Sequence, residues 1–451
     1  NNAAIYYTTD GSTPTTSSSR YNGTLQIDET TVIKALAVES GKLPSEVVIN
    51  TYFVGHQTTL PVVSLSMDSK YLFDDTVGIY TVGTNGTPHT SCNNVTANYA
   101  QDWDRPVHIE YFDENHTQQF EFGSDIALTG ECSRSKTKKS FGFELDGKYG
   151  TKSLSYKLFP GKTLGKIKDF KVRTANSGYR IGDELGAQLV EEANLDIDYQ
   201  AYRGVQMFMN GEYWGVYNIR EKKGAESLEA NYPNLGKVDI IKAFIVKKGD
   251  YTAYGQFNSF LNSHDLATNA NYQQALGFFD EASFIDYMAF MIYNGNLDWI
   301  DGNMRTWKEQ KAGAKWRWMV DDVDWGFLSQ IDFAGHGTAL ASNQFDNLKN
   351  SDSTTNMVLL FNGLMTNNTF RGKFKTRFNT LLNTVFTPNF MLPIVNKIDN
   401  ERKDYMHLEK FAGMPAGDYV ASYTDYIEND IRRFVRARTA TVRAQLEAAI
   451  P

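Results

Sequence analysis

The stretch that decides the fold reads Asn-Leu-Asp-Trp-Ile-Asp-Gly-Asn at residues 296–303 and Trp-Arg-Trp-Met-Val-Asp-Asp-Val-Asp-Trp-Gly-Phe at residues 316–327. Between the two parts, residues 304–308 have the composition of a strand, and residues 310–315 have that of a turn. Because a hairpin returns its far end to its start, the sequence predicts that the two acidic parts meet in space.

The acidic side chains of this stretch suggest a metal site. Asp321, Asp322 and Asp324 place three carboxylates within four positions. In a strand, Asp322 and Asp324 would share one face and Asp321 the other. Carboxylates on one face repel one another and raise a pKa unless a cation is present. We expect a divalent cation here, with Asp298 as a proton acceptor and Asn303 as an amide ligand. A calcium-binding turn and a solvated loop are the alternatives.

Bulk composition narrows the possible partners. The chain has 451 residues and a net charge of −8, and its basic residues are concentrated only at residues 134–139, which argues against a nucleic-acid partner. No apolar run approaches the roughly 20 residues that span a bilayer. Cys92 and Cys132 form either one disulfide or two unrelated buried thiols. They cannot make a zinc site by themselves, and the scattered histidines suggest no metal cluster.

Residues 1–56 have the pattern of a small β-sandwich. Short β-branched and aromatic runs alternate with turns, and strands are expected at residues 5–9, 24–27, 31–37 and 45–52. The string Ile-Tyr-Tyr-Thr-Thr-Asp-Gly-Ser-Thr-Pro at residues 5–14 resembles the immunoglobulin-like domain at the C-terminus of chitobiases. Tyr21 and residues 33–37 extend this resemblance. It implies an accessory domain of a secreted or cell-surface bacterial protein and no chemistry of its own.

Residues 57–451 mix strands with helices, so the fold class is α+β. Asn210-Gly211 between two apolar runs predicts a tight hairpin. A helix is expected over residues 280–294, with Asp280 as its N-cap and Gly295 as its C-cap. A long amphipathic helix is expected over residues 425–449.

Four strings in this second part are similar to the CotH-type (spore-coat protein H) family, which has an atypical protein-kinase-like fold. They lie at residues 203–221, 296–303, 322–325 and 434–438. The resemblance covers about residues 60–450 and implies an N-lobe over about residues 60–250 and a C-lobe over about residues 251–451.

The resemblance implies ATP, Mg²⁺ (or Mn²⁺ or Ca²⁺) and phosphate transfer to a serine or threonine of a protein. In this reading, Asp298 is the catalytic base, and Asn303 and Asp322 bind the metal. Asp324 is a second carboxylate ligand or an orienting group. Glu221 is the partner of a phosphate-binding lysine or part of the adenine pocket.

The chain departs from ordinary kinases in three places. It lacks a usual glycine-rich nucleotide loop, a His-Arg pair before Asp298 and a literal Asp-Phe-Gly. The phosphate-binding lysine is not defined by a motif, and the candidates are Lys139, Lys171, Lys222 and Lys242. Lys139 ranks first because it precedes the strand at residues 141–145.

Two other functions remain open from the sequence. One is a surface adhesin or carbohydrate-associated scaffold that keeps the fold and a metal site without catalysis, with a cell-surface or glycan partner. The other is a glycoside hydrolase that uses two carboxylates. Unpaired carboxylates give a pure scaffold no advantage, which favours the phosphotransferase with a protein substrate.

Overall fold

The structure is a computed structural model that describes residues 3–162, 166–174, 179–300, 302–332, 335, 337–411 and 413–451. Its first four strands are β1 (Ala4–Thr8), β2 (Ser19–Arg20), β3 (Thr31–Val38) and β4 (Val48–Tyr52), and they form one antiparallel sheet in the order β2-β1-β3-β4. Residues 24–27 form no strand. Since the described part of residues 1–56 contains this single sheet, the predicted two-sheet sandwich is not confirmed.

A closed seven-stranded barrel follows. The elements of this region are β5 (Val62–Ser66), α1 (Lys70–Phe73), β6 (Thr87–Pro88), β7 (Thr96–Ala97), β8 (Arg105–Phe112), β9 (Gln118–Thr129), β10 (Ser140–Glu144), β11 (Asp169–Arg173), α2 (Gly182–Glu192), β12 (Tyr202–Met209) and β13 (Glu212–Glu221). The barrel order is β10-β11-β13-β12-β5-β8-β9, and β6 and β7 form a separate small hairpin. Successive side chains of a strand point to opposite faces. Phe170 and Val172 of β11 are therefore buried in the barrel core, whereas Lys171 and Arg173 lie on its outer face.

The hairpin between β12 and β13 joins the barrel to the N-terminal sheet. Asn210 and Gly211 both have positive φ values, +51° and +85°, as the Asn-Gly pair predicts. A Cβ on Gly211 would lie 2.8 Å from the carbonyl oxygen of Thr30, and one on Gly11 would collide with the Asn210 side chain. The hairpin tip is therefore wedged against the turn and the strand start of the first sheet.

Hydrogen bonds also join the barrel to the N-terminal sheet. The carboxylate of Glu110 on β8 accepts hydrogen bonds from the backbone N–H and the hydroxyl of Thr51 on β4. Glu110 is only 1% exposed. Burial raises the pKa of its carboxyl to about 7.

The C-terminal part combines helices with a small antiparallel sheet. Its elements are α3 (Ala225–Asn231), β14 (Val238–Lys242), β15 (Ile245–Lys248), α4 (Thr252–Ser263), α5 (Asn269–Ala275), α6 (Glu281–Asn294), β16 (Arg305–Glu309), β17 (Arg317–Met319), α7 (Gln344–Asn350), α8 (Asn356–Leu364), α9 (Asn368–Thr384), α10 (Pro388–Asn400), α11 (Ala416–Asp425) and α12 (Arg433–Ala449). The sheet order is β15-β14-β16-β17. Strands β16 and β17 are the predicted hairpin of the acidic stretch.

Helix α6 forms the centre of the C-terminal core. Its N-cap, Asp280, accepts a hydrogen bond from the N–H of Ser283, and Gly295 ends it in the left-handed conformation, as the sequence predicts. Nine of its side chains between Phe284 and Tyr293, all except Asp286, are packed in the largest apolar cluster. The predicted terminal helix is present as α11 and α12, joined by a wider π-helical segment at Tyr426–Arg432.

Cys92 and Cys132 form a disulfide, which settles the alternative that the sequence left open. None of the helices in the described residues is both long enough and apolar enough for a membrane span.

Candidate functional site

One buried amide joins the two acidic segments. After α6 ends at Gly295, Asn296 is fully buried, and its Oδ1 accepts a hydrogen bond from the N–H of Asp298 at 3.0 Å. Its Nδ2 donates to the carbonyl oxygen of Asp322 at 2.9 Å. Asn296 therefore holds the loop of Asp298 against the segment that follows the hairpin.

Asn303 fixes the Asp298 side chain. Its Nδ2 donates to the carbonyl oxygen of Asp298 at 2.7 Å and to Oδ2 of the same residue at 3.0 Å. Burial and repulsion by Asp322 raise the pKa of the Asp298 carboxyl, and the Asn303 hydrogen bond opposes this change. Since Asn296 bonds both segments, the hairpin brings the backbone of Asp322 to the loop that carries Asp298.

The segment from Asp321 to Asp324 is a turn rather than the predicted strand. Strand β17 ends at Met319, and Asp322 has a φ of +55°, which breaks the strand geometry. Asp322 and Asp324 nevertheless interact. Burial, together with repulsion by Asp322 and Asp183, raises the pKa of Asp324 to about 7.

Asp321 points away from this pair. It is 4% exposed, and its carboxylate contacts Lys223, Lys242 at 3.4 Å and Arg305 at 3.2 Å. Burial alone would raise the pKa of Asp321, but these three cations together hold it well below its usual range. Asp321 is therefore a neutralised structural anion.

The start of helix α2 packs directly on the turn. A Cβ on Gly182 would lie 2.9 Å from the carbonyl oxygen of Val323, and one on Gly186 would lie 2.8 Å from the Val323 side chain. Asp183 accepts a hydrogen bond from the N–H of Val323 at 2.8 Å. The two glycines thus allow the helix to approach the turn closely enough for Asp183 to bind it.

Strand β11 supplies cations above the acidic groups. Arg173 lies 3.4 Å from Asp183 and 3.3 Å from Asp322, and Arg220 of β13 binds Asp183 at 2.6 Å. Burial disfavours the cation of Arg173, but Asp183 and Asp322 outweigh it and raise its pKa. Arg173 therefore bridges helix α2 and the acidic turn.

Lys171, two residues before Arg173, differs from it. Within the described residues it has neither an ion pair nor a hydrogen-bond partner. Burial, together with the charges of neighbouring cations, chiefly Lys223 and Arg173, lowers the pKa of Lys171 to about 8. A cation held among other cations without an anion is suited to bind one from solution.

Arg180 is a further cation with unused donors. Its guanidinium lies 4.4 Å from the ring centroid of Trp325. Its Nε and Nη1 are buried and donate to no oxygen among the described residues. Asp324 lies close enough for the charge of Arg180 to lower its pKa.

Lys139 and Glu221, which the sequence suggests for the cofactor, do not contact each other. Lys139 donates to the carbonyl oxygen of Lys136 at 2.8 Å, and its ammonium lies 4.6 Å from the Tyr99 ring centroid. Glu221 pairs with Lys162 at 2.6 Å. Glu221 is in register with Phe170 at the start of β11, whereas Lys139 lies next to the far end of that strand. Four residues of strand separate the two, or roughly 13 Å.

The oxygen donors fit a hard divalent cation. Asp298, Asn303, Asp322 and Asp324 offer carboxylate and amide oxygens, and the pKa of both Asp298 and Asp324 is raised by a neighbouring carboxylate. Such repulsion falls when a cation binds. No three of these carboxylates come within 4.8 Å of one another in the described residues. Mg²⁺ needs only one or two carboxylates, because it completes its shell with water and phosphate oxygens.

Sequence reasoning did not identify the roles of three residues of this site, which are Arg173, Asp183 and Asn296, whereas it did suggest Arg180 as a phosphate-binding residue at the start of a helix. Gly182 and Gly186, spaced one helical turn apart, carried a signal for Asp183, because small residues on one helix face mark a close approach. Arg173 gave no local signal for its contact with Asp322, which is 149 residues away.

The chain matches two known protein families. A family model described as CotH kinase protein matches residues 126–442, well over half of the chain, and one described as chitobiase/beta-hexosaminidase C-terminal domain matches residues 1–50. No curated protein matches. One solved structure that matches is the Helicobacter pylori proinflammatory kinase CtkA. The identity is 10%, and the match covers 64% of this chain and 94% of that chain. The TM-score is 0.27, which is too low to support a conclusion. The family match confirms the resemblance seen in the sequence: the chain belongs to the CotH kinase protein family.

Proposed function

We propose that this protein transfers a phosphate group from ATP to a serine or threonine of a protein substrate, with Mg²⁺ as the divalent cation. Membership of the CotH kinase family supports ATP and a divalent metal. The observation that carries the proposal is the contact of Asn296 with both acidic segments, which holds the loop of Asp298 against the backbone of Asp322. Arg173 of β11 pairs with the carboxylate of Asp322 at the same place.

Asp298 is proposed as the catalytic base. Its Oδ2 receives the Asn303 hydrogen bond, which fixes the carboxylate and leaves Oδ1 for the hydroxyl of a substrate. Burial and the charge of Asp322 make this carboxylate more basic than an exposed one. A positioned carboxylate that accepts the hydroxyl proton raises the nucleophilicity of that oxygen as it attacks.

Asn303, Asp322 and Asp324 are proposed as the ligands of the cation. When bound, the cation neutralises charge on the phosphate oxygens. Arg173 and Asp183 hold the turn that carries Asp322 and Asp324, the first through its ion pair with Asp322 and the second through the N–H of Val323. The proposed metal ligands are thus oriented by Arg173 and Asp183, which are not themselves ligands of the metal ion.

Lys171, with Arg173 and Arg180, is proposed to bind the phosphates of the nucleotide. Among the residues that the structure describes, Lys171 has no anionic partner, and two buried donors of Arg180 have no acceptor. A phosphate group would satisfy both residues and reduce the repulsion between their charges. Lys139 remains a candidate only through its position in the sequence, since its ammonium already donates to backbone carbonyl groups. Glu221, which lies beside the start of β11, would then contribute through its ion pair with Lys162.

Export to the surface of a bacterial cell, or secretion from it, is part of the same proposal. The chitobiase-type module at residues 1–50 and the disulfide between Cys92 and Cys132 support it, because disulfides persist in oxidising compartments. A protein substrate follows from the kinase family, and the composition argues against nucleic acid as a partner.

Thermal unfolding with and without nucleotide tests the proposal. Mg²⁺ with ATP should raise the Tm of the wild type, because a ligand at 100 times its Kd stabilises the folded state by about 2.7 kcal/mol. Asp322→Ala should remove the metal-dependent part of this shift. Lys171→Met should weaken nucleotide binding about tenfold, and the matched variant Lys139→Met should leave it unchanged.

The opposite outcomes are informative. A wild-type protein without any shift at millimolar Mg²⁺ and ATP would reject the kinase proposal and favour the binding scaffold. Nucleotide binding that is lost in Lys139→Met and kept in Lys171→Met would return the phosphate-binding role to Lys139.

A further inference from the structure

The disulfide lies among other potential metal ligands. Cys92 belongs to the loop between β6 and β7, and Cys132 belongs to the turn between β9 and β10, with their Cα atoms 5.2 Å apart. Ligand atoms of His89, Cys92 and Glu131 all lie within 4.8 Å of one another. With Cys132 bonded to Cys92, the place holds two sulfur atoms, one imidazole and one carboxylate.

The disulfide alone does not account for His89. This residue is 6% exposed, and neither Nδ1 nor Nε2 has a hydrogen-bond partner among the described residues. A buried polar atom without a partner costs free energy, and each such atom calls for an explanation. A metal ion at one of the ring nitrogens would provide the missing interaction.

The backbone presents His89 and Cys92 together. The carbonyl oxygen of His89 accepts hydrogen bonds from the N–H groups of Cys92, Asn93 and Asn94 at 3.1–3.3 Å, which closes a tight turn. Glu131 lies next to Cys132 in the chain, and its carboxylate accepts a hydrogen bond from the hydroxyl of Ser91. A partner of this kind orients a ligand in the second layer of a metal site.

We propose that His89, Cys92, Glu131 and Cys132 form a tetrahedral Zn²⁺ site when the disulfide is reduced. Two thiol-reductant molecules supply two electrons and two protons, the Cys92–Cys132 bond breaks, and the reductant becomes a disulfide. Zn²⁺ then binds both sulfur atoms as thiolates, and two protons pass to solvent. Cysteine, histidine and carboxylate ligands are the set that zinc uses.

The required movement is small. Two thiolates on one tetrahedral zinc lie about 3.8 Å apart, given a zinc–sulfur distance of about 2.3 Å. The side chains can reach this separation from the bonded state by rotation. The same two segments, residues 89–92 and 131–132, are therefore linked by a covalent bond in the oxidised protein and by the metal in the reduced protein.

The linked turn leads towards the candidate functional site. Residues 132–135 form its helical part, and the backbone carbonyls of Arg134 and Lys136 hold the ammonium of Lys139. The next residue, Ser140, accepts a hydrogen bond from the N–H of Thr174, directly after Arg173. Loss of both links would therefore loosen the strand ends beside Arg173.

Cobalt binding tests the site on the full-length chain. The protein is reduced with a phosphine, separated from the reductant without oxygen and titrated with Co²⁺. We expect thiolate-to-cobalt charge-transfer bands and the visible bands of a tetrahedral site at one ion per chain, and their loss when Zn²⁺ is added. The oxidised protein should show none of these bands.

Variants identify the ligands. His89→Ala and Glu131→Gln should each weaken binding at least tenfold, and the matched variant His264→Ala, on a different part of the surface, should bind as the wild type does. Circular dichroism of each variant shows whether it is folded. The proposal is overturned if the folded, reduced wild type gives no charge-transfer band, or if His89→Ala and Glu131→Gln both bind Co²⁺ as the wild type does. Either result would leave a structural disulfide only.

Discussion

Asp321 and Asp322 are neighbours in the chain with opposite surroundings. Asp321 is buried against three cations from Lys223, Lys242 and Arg305. Asp322 shares one arginine with Asp183 and repels both Asp298 and Asp324. The left-handed backbone at Asp322 separates the two side chains.

The two aspartates thus differ in role: the charge of Asp321 stabilises the fold, and the charge of Asp322 is available for a ligand. An anion with a surplus of cations gains nothing from an added metal ion, whereas a group of repelling carboxylates does. The same contrast exists among the cations. Arg220 is saturated by Asp183 and Glu184, while Lys171 has no anion among the described residues. The site lies where the uncompensated groups of both signs approach each other.

Asp298→Asn should give the largest effect, because it removes a proton acceptor and keeps the shape of the side chain. We expect the rate of phosphate transfer to fall by about 10²–10⁴-fold. Nucleotide binding and Tm should stay close to those of the wild type. The measurement is transfer of labelled phosphate from ATP to protein, and transfer at the wild-type rate would show that Asp298 is not the base.

Exchanging each member of the neighbouring pair tests the comparison directly. Asp321→Asn should lower the free energy of unfolding by about 3–5 kcal/mol, since it leaves buried cations without their anion. Asp322→Asn should leave stability within about 0.5 kcal/mol of the wild type, because it also removes repulsion. Urea unfolding measures both. Equal losses in the two variants would remove the distinction between a structural and a functional aspartate.

Gly182→Ala tests whether the acidic turn needs close packing by helix α2. The added Cβ would meet the carbonyl oxygen of Val323 at 2.9 Å and the Cα of Asp324 at 3.0 Å. Since both are backbone atoms, we expect a loss of about 1–3 kcal/mol in stability and weaker Mg²⁺-dependent binding of ATP. Gly372→Ala, where no atom lies within 4 Å of the added Cβ, is the control. Unchanged metal dependence in Gly182→Ala would show that the turn keeps its shape without this contact.

Glu110 offers a third kind of carboxyl, buried against uncharged donors, and should give the smallest effect. Its pKa in the folded protein is raised to about 7. A raised carboxyl pKa gives a stabilising contribution that is complete below about pH 4.5 and is lost as the pH rises through about 7. Relative to Glu110→Gln, the wild type should therefore lose a few degrees of Tm between pH 5 and pH 8. Parallel pH profiles of the two proteins would exclude this role for Glu110.

Local patterns in the sequence predicted much of the framework. The caps of α6, the Asn210-Gly211 turn and the hairpin of β16 and β17 depend on neighbouring residues, and all three are present. The approach of Asp298 to Asp322 followed from that hairpin. The opposite orientation of Asp321 was also expected, although the reason was wrong, because a turn and not a strand separates it from Asp322.

The cationic half of the site could not be predicted in this way. Arg173 and Asp322 are 149 residues apart, and Val323 and Asp183 are 140 residues apart. Such pairs depend on how the barrel packs against the C-terminal part, which no local periodicity encodes. Lys139 precedes a strand and Lys171 lies in one, so only the fold distinguishes them: Lys139 already donates to a backbone carbonyl, and Lys171 has no partner in the described part of the chain.

The wedge of Asn210 and Gly211 against the N-terminal sheet has a mechanical consequence. From that wedge, β13 runs for ten residues, or about 33 Å, to Glu221, two positions before Lys223, with one irregularity opposite Met207 and Phe208 near its start. Lys223 forms an ion pair with Asp321 directly beside the acidic turn. A load applied to the N-terminal sheet, such as a pull from an anchored surface, would therefore be transmitted along β13 towards the acidic turn.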